Sequence, residues 1–303
     1  MAKLSRVSVI ILNWNGANAT ISCAESVLRA FMTARALLES SELLIVDNGS
    51  DQDIELLKEW CHASHSAHTM LLSNPRNLGF AGGMNTGIRR ALEGKSDFVW
   101  LLNNDLLVGS ASILNLTKFS QLNKTAAIIG STIVDPISGH VRTAGGYKYY
   151  SWLGINLPIF AGKTRSELLL TQTPKLDYVD GAAIWLRGDF IARVRQLPEV
   201  HFLYFEELEL NQCLQGEEEI AWCREAEVFH QGGGSSSTAY LQERATYHSA
   251  RSAFRYTQRH YPWRLPTVIF ARLVGITMRA LLRCQPGLIL ATAKALRDFH
   301  RQM

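Results

Sequence analysis

The feature that most narrows the fold is a strict alternation of apolar and helical patterns in the first hundred residues. Val7–Leu12, Leu43–Val46, Met70–Leu72 and Phe98–Leu102 read as strands, separated by helical patterns at Ala17–Phe31, Asp53–Trp60 and Phe80–Leu92. Short apolar runs with no polar alternate describe strands buried on both faces. Alternation at this pitch implies a parallel sheet with helices on both faces and right-handed crossovers. Each strand runs into polar, turn-forming residues: Asn13-Trp-Asn-Gly16, Asp47-Asn-Gly-Ser-Asp51, Asn74-Pro-Arg-Asn77 and Asn103-Asn-Asp105. In a parallel sheet these clusters gather at one edge, where open α/β sheets bind ligands. A nucleotide site is the physical expectation there.

Composition adds bounds. The chain has 303 residues, 47% of them hydrophobic, which suits one large globular domain or two. Its five cysteines are odd in number and scattered, so reduced thiols are expected rather than a disulfide framework. Met1-Ala-Lys-Leu-Ser-Arg6 leads straight into a strand with no signal-peptide pattern, and no run of 18 uninterrupted apolar residues occurs. A soluble, cytoplasmic protein is expected. The net charge of +4 hides a split: residues 241–303 hold eleven Lys and Arg against Glu243 and Asp298. This predicts a catalytic body over 1–240 and a basic helical region over 241–303 that meets something anionic. The stretch from about Ile128 to Phe205 reads as mixed strands and loops.

Several clusters could carry chemistry. Asp105 closes the apolar run Val99–Leu102 beside Asn103 and Asn104, and a carboxylate there could hold a divalent cation that also grips phosphates. An ordinary Asn/Asp turn would read the same. Asp47-Asn-Gly-Ser50 could hydrogen-bond a base or ribose, or simply cap the next helix. Asn77-Leu-Gly-Phe-Ala-Gly-Gly-Met-Asn-Thr-Gly87 lacks G-x-G-x-x-G spacing, which excludes a dinucleotide fingerprint. Its glycines would let phosphate approach a helix N-terminus, with Arg76 assisting, or let the helix pack closely on the sheet. His230 ends an apolar run before a triple glycine, and a neutral imidazole suits Mn²⁺ beside a carboxylate. Glu206, Glu207 and Glu209 follow an aromatic run, offering a base for a hydroxyl nucleophile or merely an acidic first turn of helix. His62, His65 and His68 lie in a polar segment and read as a solvated loop.

Taken in order, Asn13-Trp-Asn-Gly16, Val46-Asp-Asn-Gly-Ser50, Asn77–Gly87, Asn103-Asn-Asp105, Val179-Asp-Gly-Ala182, Tyr204-Phe-Glu-Glu207 and His230-Gln-Gly-Gly-Gly-Ser235 resemble inverting family 2 glycosyltransferases of the GT-A fold. The likeness spans about residues 7–262, through Arg259-His-Tyr-Pro262, and is strongest to bacterial rhamnosyltransferases of surface polysaccharide synthesis. It implies an α/β, GT-A-type, mainly parallel mixed sheet with helices on both faces, plus C-terminal basic helices. It implies that Asn13 and Asp47 hold the base and that Asn77 and Asn85 hold the ribose–diphosphate region. Asn15, Ser50, Gly79, Asn103 and Asn104 complete the donor contacts. Asp105 and His230 would ligate Mn²⁺ or Mg²⁺, Asp180 would orient acceptor or sugar, and Glu207 would be the base, with Glu206 its fallback. Glutamate stands at 207 and 209 where the family carries aspartate, a displacement of one methylene. The donor implied is dTDP-L-rhamnose, or a UDP-sugar, and the acceptor a glycan or polyprenyl-linked glycan.

In the basic region, Arg272, Arg279 and Arg283 share one helical stripe, and Lys294, Arg297 and Arg301 another after Pro286. Leucine, isoleucine and valine lie between them. The pattern fits helices lying in an anionic membrane interface rather than spanning it, or packing on the catalytic body with a solvated basic face. The expectation is a peripheral protein on the inner face of the plasma membrane. A nucleotidyltransferase would carry a Gly-Gly-x-Gly-Thr-Arg-like loop after the first strand, and a processive synthase a Gln-x-x-Arg-Trp motif. Neither is present. No aromatic-interleaved basic platform for nucleic acid appears. A membrane-associated nucleotide-sugar-binding protein with weakened catalysis is the alternative to an enzyme.

Overall fold

The computed structural model describes residues 3–63, 69–230 and 239–301. In chain order the elements are β1 (Ser5–Asn13), α1 (Ala17–Ala34), β2 (Leu38–Asp47), α2 (Ile54–Ala63), β3 (Thr69–Ser73), α3 (Gly79–Glu93), β4 (Phe98–Asn103), β5 (Leu106–Val108), α4 (Ser112–Leu122), β6 (Ala126–Val134) and β7 (Val141–Ala144). There follow β8 (Gly146–Tyr150), β9 (Ile155–Pro158), α5 (Arg165–Leu169), β10 (Tyr178–Val179), β11 (Ala183–Arg187), α6 (Gly188–Val194), α7 (Glu206–Asn211), β12 (Glu219–His230), α8 (Ala239–His260), α9 (Leu265–Leu282) and α10 (Gly287–His300).

The main sheet runs β3-β2-β1-β4-β11-β6-β12-β5, with β7 on β6. β3, β2, β1 and β4 are mutually parallel, so their C-terminal ends share one edge, as the alternation requires. β11 pairs antiparallel with both β4 and β6, and β12 runs parallel to β6. The sheet is therefore mixed and mainly parallel. Its strands are apolar because both faces are covered. Val7, Val9, Ile11, Trp100 and Leu102 pack under α1, α2 and α4, whereas Ile10, Val99 and Leu101 pack under α3 and α6. A second sheet, β10-β8-β9, stands beside the cleft.

Two glycines of α3 serve packing on the sheet. A Cβ on Gly83 would lie 2.5 Å from Leu12 Cδ1, and one on Gly87 2.6 Å from Ile10 Cγ2. Their absence lets the helix settle on β1. Arg76 is exposed and does not line the cleft. His62 sits at the exposed end of α2, while His65 and His68 lie outside the described residues.

The C-terminal helices join the body. Ala253 and Tyr256 of α8 pack on Tyr178, Phe205 and Leu208, and Ala250 and Phe254 pack on Val268, Ala295 and Phe299 of α9 and α10. Arg272 departs from the expected basic stripe. It turns inward, donating to Gly154 O at 2.7 Å and Ser249 Oγ at 3.0 Å, while Arg279 and Arg283 stay exposed. The segment Pro262–Leu282 is long and apolar enough, by length and composition, to cross a membrane, despite the charge at its middle.

Candidate active site

The shared strand edge opens into a cleft of about 840 Å³. Its floor comes from Asn48, Asn77, Gly79, Asn103, Asn104 and Asp105, at the ends of β2, β3 and β4. One wall carries Asp180, Gly181, Glu206 and Glu207, and α8 supplies Arg244 and His248.

The floor is a closed hydrogen-bond network. Asn13 Nδ2 donates to Asp47 Oδ1 (2.9 Å) and Ser50 Oγ (3.2 Å), and Thr20 Oγ1 donates to Asn13 Oδ1 (2.7 Å). Asn13 and Asp47 are buried, so they brace the floor from behind. Asn15 accepts from the backbone of Asp51 and Gln52, and its own N–H donates to Ser50 Oγ. Asn48, unnoticed as a single residue in the sequence, is the hub. Its Nδ2 donates to Asn77 Oδ1 (3.2 Å) and Gly79 O (3.0 Å), while its Oδ1 accepts from Asn74 Nδ2 and Leu78 N. Gly79 has φ +80, and a Cβ there would sit 2.5 Å from Phe202 O. Asn104 Nδ2 reaches Thr20 Oγ1 at 3.1 Å.

Asn85 is a correction. It is fully buried, donates to Leu197 O and Glu199 Oε1, and accepts from Leu197 N. Its amide ties α3 to the segment before α7, leaving nothing for a ligand.

Asp105 and His230, far apart in sequence, meet: His230 Nε2 lies 3.0 Å from Asp105 Oδ2. Arg142 lies 2.7 Å from His230 Nδ1 and also donates to Asp135 Oδ2 at 3.2 Å. Arginine can only donate, so Nδ1 accepts and Nε2 carries the proton given to Asp105. Burial pushes the Asp105 carboxyl up, but the His230 hydrogen bond and the nearby Arg142 guanidinium outweigh it and hold it below its usual value. Asp105 Oδ1 is buried without a partner. An orphaned carboxylate oxygen is costly to bury and fits a cation ligand. Among the described residues no third His, Cys, Asp or Glu completes a metal cluster, so further ligands would have to come from substrate or water.

The opposite wall is built differently. Tyr204 (φ 67) and Phe205 (φ 75) hold left-handed backbone just before α7, a strained pair of the sort that collects at functional sites. This turn sets Glu206 and Glu207 into the wall. Burial raises Glu207 to about 7, with the Asp180 carboxylate adding to the rise. Burial and the Glu207 charge push Glu206 well above the ordinary range, and its Oε1 has no partner. Asp180 accepts from Thr143 Oγ1 and Tyr147 OH (both 2.9 Å) and from Ala182 N (3.0 Å). Gly181 leaves the space that Glu207 Oε1 occupies; a Cβ would collide with it outright. Glu209 anchors α7 from behind, 3.3 Å from His201 Nε2 and 3.0 Å from His260 Nε2 of α8.

Sequence reasoning also missed the α8 contribution. Arg244 lies 5.2 Å over the Trp14 ring, and His248 stacks on Phe202 at 4.9 Å. Burial, with Arg244 and Arg251 nearby, lowers His248 to about 4. A basic helix read from composition alone carried no sign that two of its residues face a cleft.

Comparison with known proteins agrees with this architecture. A mannosyltransferase from Pyrobaculum calidifontis, solved with GDP-Man and Mn²⁺, superposes with TM-score 0.58 at 14% identity, covering 97% of this chain and 88% of that one. Staphylococcus aureus TarS 1-349 with UDP-GlcNAc gives 0.55 at 15% identity, covering 97% and 80%. GalNAc-T7 with UDP, GalNAc and Mn²⁺ gives 0.59 at 16% identity over 83% of this chain and 51% of that one. The fold is the GT-A fold of these proteins. In sequence, the chain is 26% identical over 198 residues to the low-salt glycan biosynthesis hexosyltransferase Agl10 of Haloferax volcanii, spanning 63% of this chain and 59% of that relative. Residues 8–184, more than half of the chain, match the model of Glycosyl transferase family 2, and the protein belongs to that family.

Proposed function

We propose that the protein transfers a hexosyl group, with inversion, from a nucleoside diphosphate sugar to a glycan or polyprenyl-linked glycan hydroxyl. The observation that carries this reading is the pairing, across one cleft, of Asp105 and His230 with Glu207 seated over Gly181. Glu207 takes the proton of the acceptor hydroxyl. The hydroxyl oxygen bonds to the anomeric carbon as the bond from that carbon to the diphosphate oxygen breaks, and one displacement inverts the centre. A base raised to about 7 by burial can both accept and release a proton near neutrality. Asp180, held by Thr143 and Tyr147, stands beside it.

Asp105 would hold a divalent cation through its unpartnered Oδ1, and His230 would join through Nε2 only with Arg142 withdrawn from Nδ1, which must then carry the ring proton. Bound there, Mn²⁺ or Mg²⁺ would supply Lewis-acid stabilisation of the departing diphosphate. The amide network of Asn48, Asn77, Asn103 and Asn104 lines the floor as the donor's seat. The sequence resemblance to rhamnosyltransferases supports dTDP-L-rhamnose as donor, with UDP-sugars next. The surplus of Lys and Arg after residue 240 supports work on bacterial surface glycans from the cytoplasmic face of an anionic membrane.

A thermal-shift screen of nucleotide sugars with and without Mn²⁺ tests the donor, because a ligand that binds only the folded state raises Tm. Tm should rise most with dTDP-rhamnose plus Mn²⁺. Product analysis by NMR then checks anomeric inversion. No shift with any nucleotide sugar would overturn the reading.

A further inference from the structure

One group of exposed apolar residues lies on α9 and the turn before it. Trp263, just before α9, and Phe270, Val274, Met278 and Leu282 on it recur at helical spacing and form one stripe. Trp263 is 65%, Phe270 71% and Leu282 84% exposed. Other side chains of α9 face inward: Val268 packs into the three-helix cluster and Arg272 bonds Gly154 O. A second segment, more than a hundred residues earlier, joins the stripe. The hairpin formed by β8 and β9 exposes Trp152, Leu153, Ile155 and Leu157. The Arg264 guanidinium lies 4.7 Å from the Trp152 ring and 5.5 Å from the Trp263 ring, and Gly154 abuts Val268.

Along α9 the charge has one sign. No acidic residue occurs between Glu243 and Asp298, and Arg279 and Arg283 stand exposed near the C-terminal end of α9, on the helical face of Arg272. A contiguous exposed apolar patch marks a binding surface. Tryptophans with an apolar stripe and an arginine rim fit the interface of an anionic bilayer. A second copy of this chain, meeting face to face, would bring the same arginines and no acid from this stretch to pair them.

We infer that the tip of the β8–β9 hairpin and the outer stripe of α9 together seat this protein flat on an anionic bilayer, with the cleft opening beside the contact. The cleft lies close because Asn156, between the exposed Ile155 and Leu157, lines it and donates to the Tyr178 hydroxyl. Arg272, docked onto Gly154, ties α9 to the hairpin and opposes its withdrawal into a spanning position. The inference rests on the lipid-linked acceptor proposed above, and it names the surface that would bring such an acceptor within reach of Glu207.

Co-sedimentation with phosphatidylcholine vesicles, with and without 30% phosphatidylglycerol, tests it. The full chain should bind the anionic vesicles at least tenfold more tightly than the neutral ones. Trp152→Ser/Trp263→Ser/Phe270→Ser should lose at least tenfold of that binding, and Arg279→Glu/Arg283→Glu at least fivefold. Circular dichroism melts and binding of dTDP or UDP should stay at wild-type values in both variants, separating this failure from failure of the donor reading. High salt or alkaline carbonate should release the bound protein. Equal pelleting of wild type and variants would overturn the proposal. So would carbonate resistance, which marks a spanning helix, or a lipid-free dimer that the tryptophan variant dissolves.

Discussion

The floor and the wall of the cleft are made on opposite terms. On the floor, Asn13, Thr20, Asp47, Asn48, Asn74 and Asn77 satisfy one another within a network of ordinary distances. On the wall, Glu206 is buried and Glu207 half-buried, both carboxyls pushed up in pKa and reached through two left-handed residues, and Glu206 keeps an unpaired oxygen. A satisfied network fixes geometry and resists change. An under-satisfied one stores a protonation state that chemistry can use. The floor should therefore respond to mutation mainly through stability and donor affinity, and the wall mainly through turnover and pH.

The sharpest test is Glu207→Gln. Loss of a general base should lower kcat by about 10³–10⁴-fold while calorimetry shows unchanged donor binding. Turnover within tenfold of wild type would remove Glu207 from the mechanism. The same group sets a pH signature: activity should rise as pH passes about 7 and level off above it, because the base must be ionised. Asp180→Asn should shift that limb to lower pH, since the Asp180 charge helps raise Glu207. Stability carries the matching sign. The folded pKa lies above the unfolded one near 4.5, so the group's contribution is fully present below about 4.5 and is lost as pH rises through about 7. Glu207→Gln should then melt higher than wild type at pH 8, by roughly 1–3 kcal/mol, and differ little at pH 4.5. A variant that gains stability while losing turnover would place this carboxylate firmly on the reactive side of the comparison.

Gly181→Ala probes the wall without touching a carboxylate. The new Cβ would occupy the position of Glu207 Oε1, so the side chain must move. A displacement near 1 Å costs about 10²-fold in rate. Steady-state kinetics should show this in kcat with donor KM preserved. A fall in donor affinity instead would mean that the wall also shapes the nucleotide seat.

The contrast between floor and wall explains what could be read from residues alone. β1, β4 and the helices between them were legible because strands buried on both faces must be continuously apolar, and their register then fixes a common edge. β2 begins at Leu38, earlier than its apolar core suggests, because Glu39-Ser-Ser41 pairs along β1 while contributing nothing to the interior. Asp105 and His230 could be paired from their residue types as candidate metal ligands, but their contact depends on β5 and β12, which bring them together across 125 residues. Asn85 misled because a buried amide gripping Leu197 has the same letter and helix position as one facing a ligand. Tyr204 and Phe205 hold left-handed backbone without the glycine that usually announces it. The position of Arg244 depends on how α8 docks, which composition does not encode.

On the floor, Asn48→Ala is the decisive change. It removes both partners of Asn77 and Gly79 on one side and of Asn74 and Leu78 on the other. Leaving buried polar groups unpaired costs about 2–4 kcal/mol in total. Urea denaturation should report that loss, and kcat for the remaining donor-saturated enzyme should fall less than threefold. A large kcat effect with intact stability would erase the distinction between the two regions.

The smallest expected effect comes from α8, which bridges them. The cleft is lined by Asp105, Asp180, Glu206 and Glu207, a poor environment for a diphosphate unless cations oppose it. Arg142 already donates to Asp135 and His230. Arg244 is held instead by the rings of Trp14 and Tyr240, at 5.2 and 6.0 Å. Such stacking uses the flat face of the guanidinium and leaves its in-plane N–H groups for a phosphate oxygen. Arg244→Ala should therefore weaken binding of the nucleoside diphosphate about tenfold, equivalent to about 1.4 kcal/mol, while leaving the free nucleoside unaffected. Arg244→Lys should recover only part of this, because an ammonium cannot both stack on Trp14 and present a fork. Calorimetry on the nucleoside, its monophosphate and its diphosphate separates the cases. An equal loss for all three would put Arg244 among the groups that shape the base pocket, and the satisfied region would then extend onto α8.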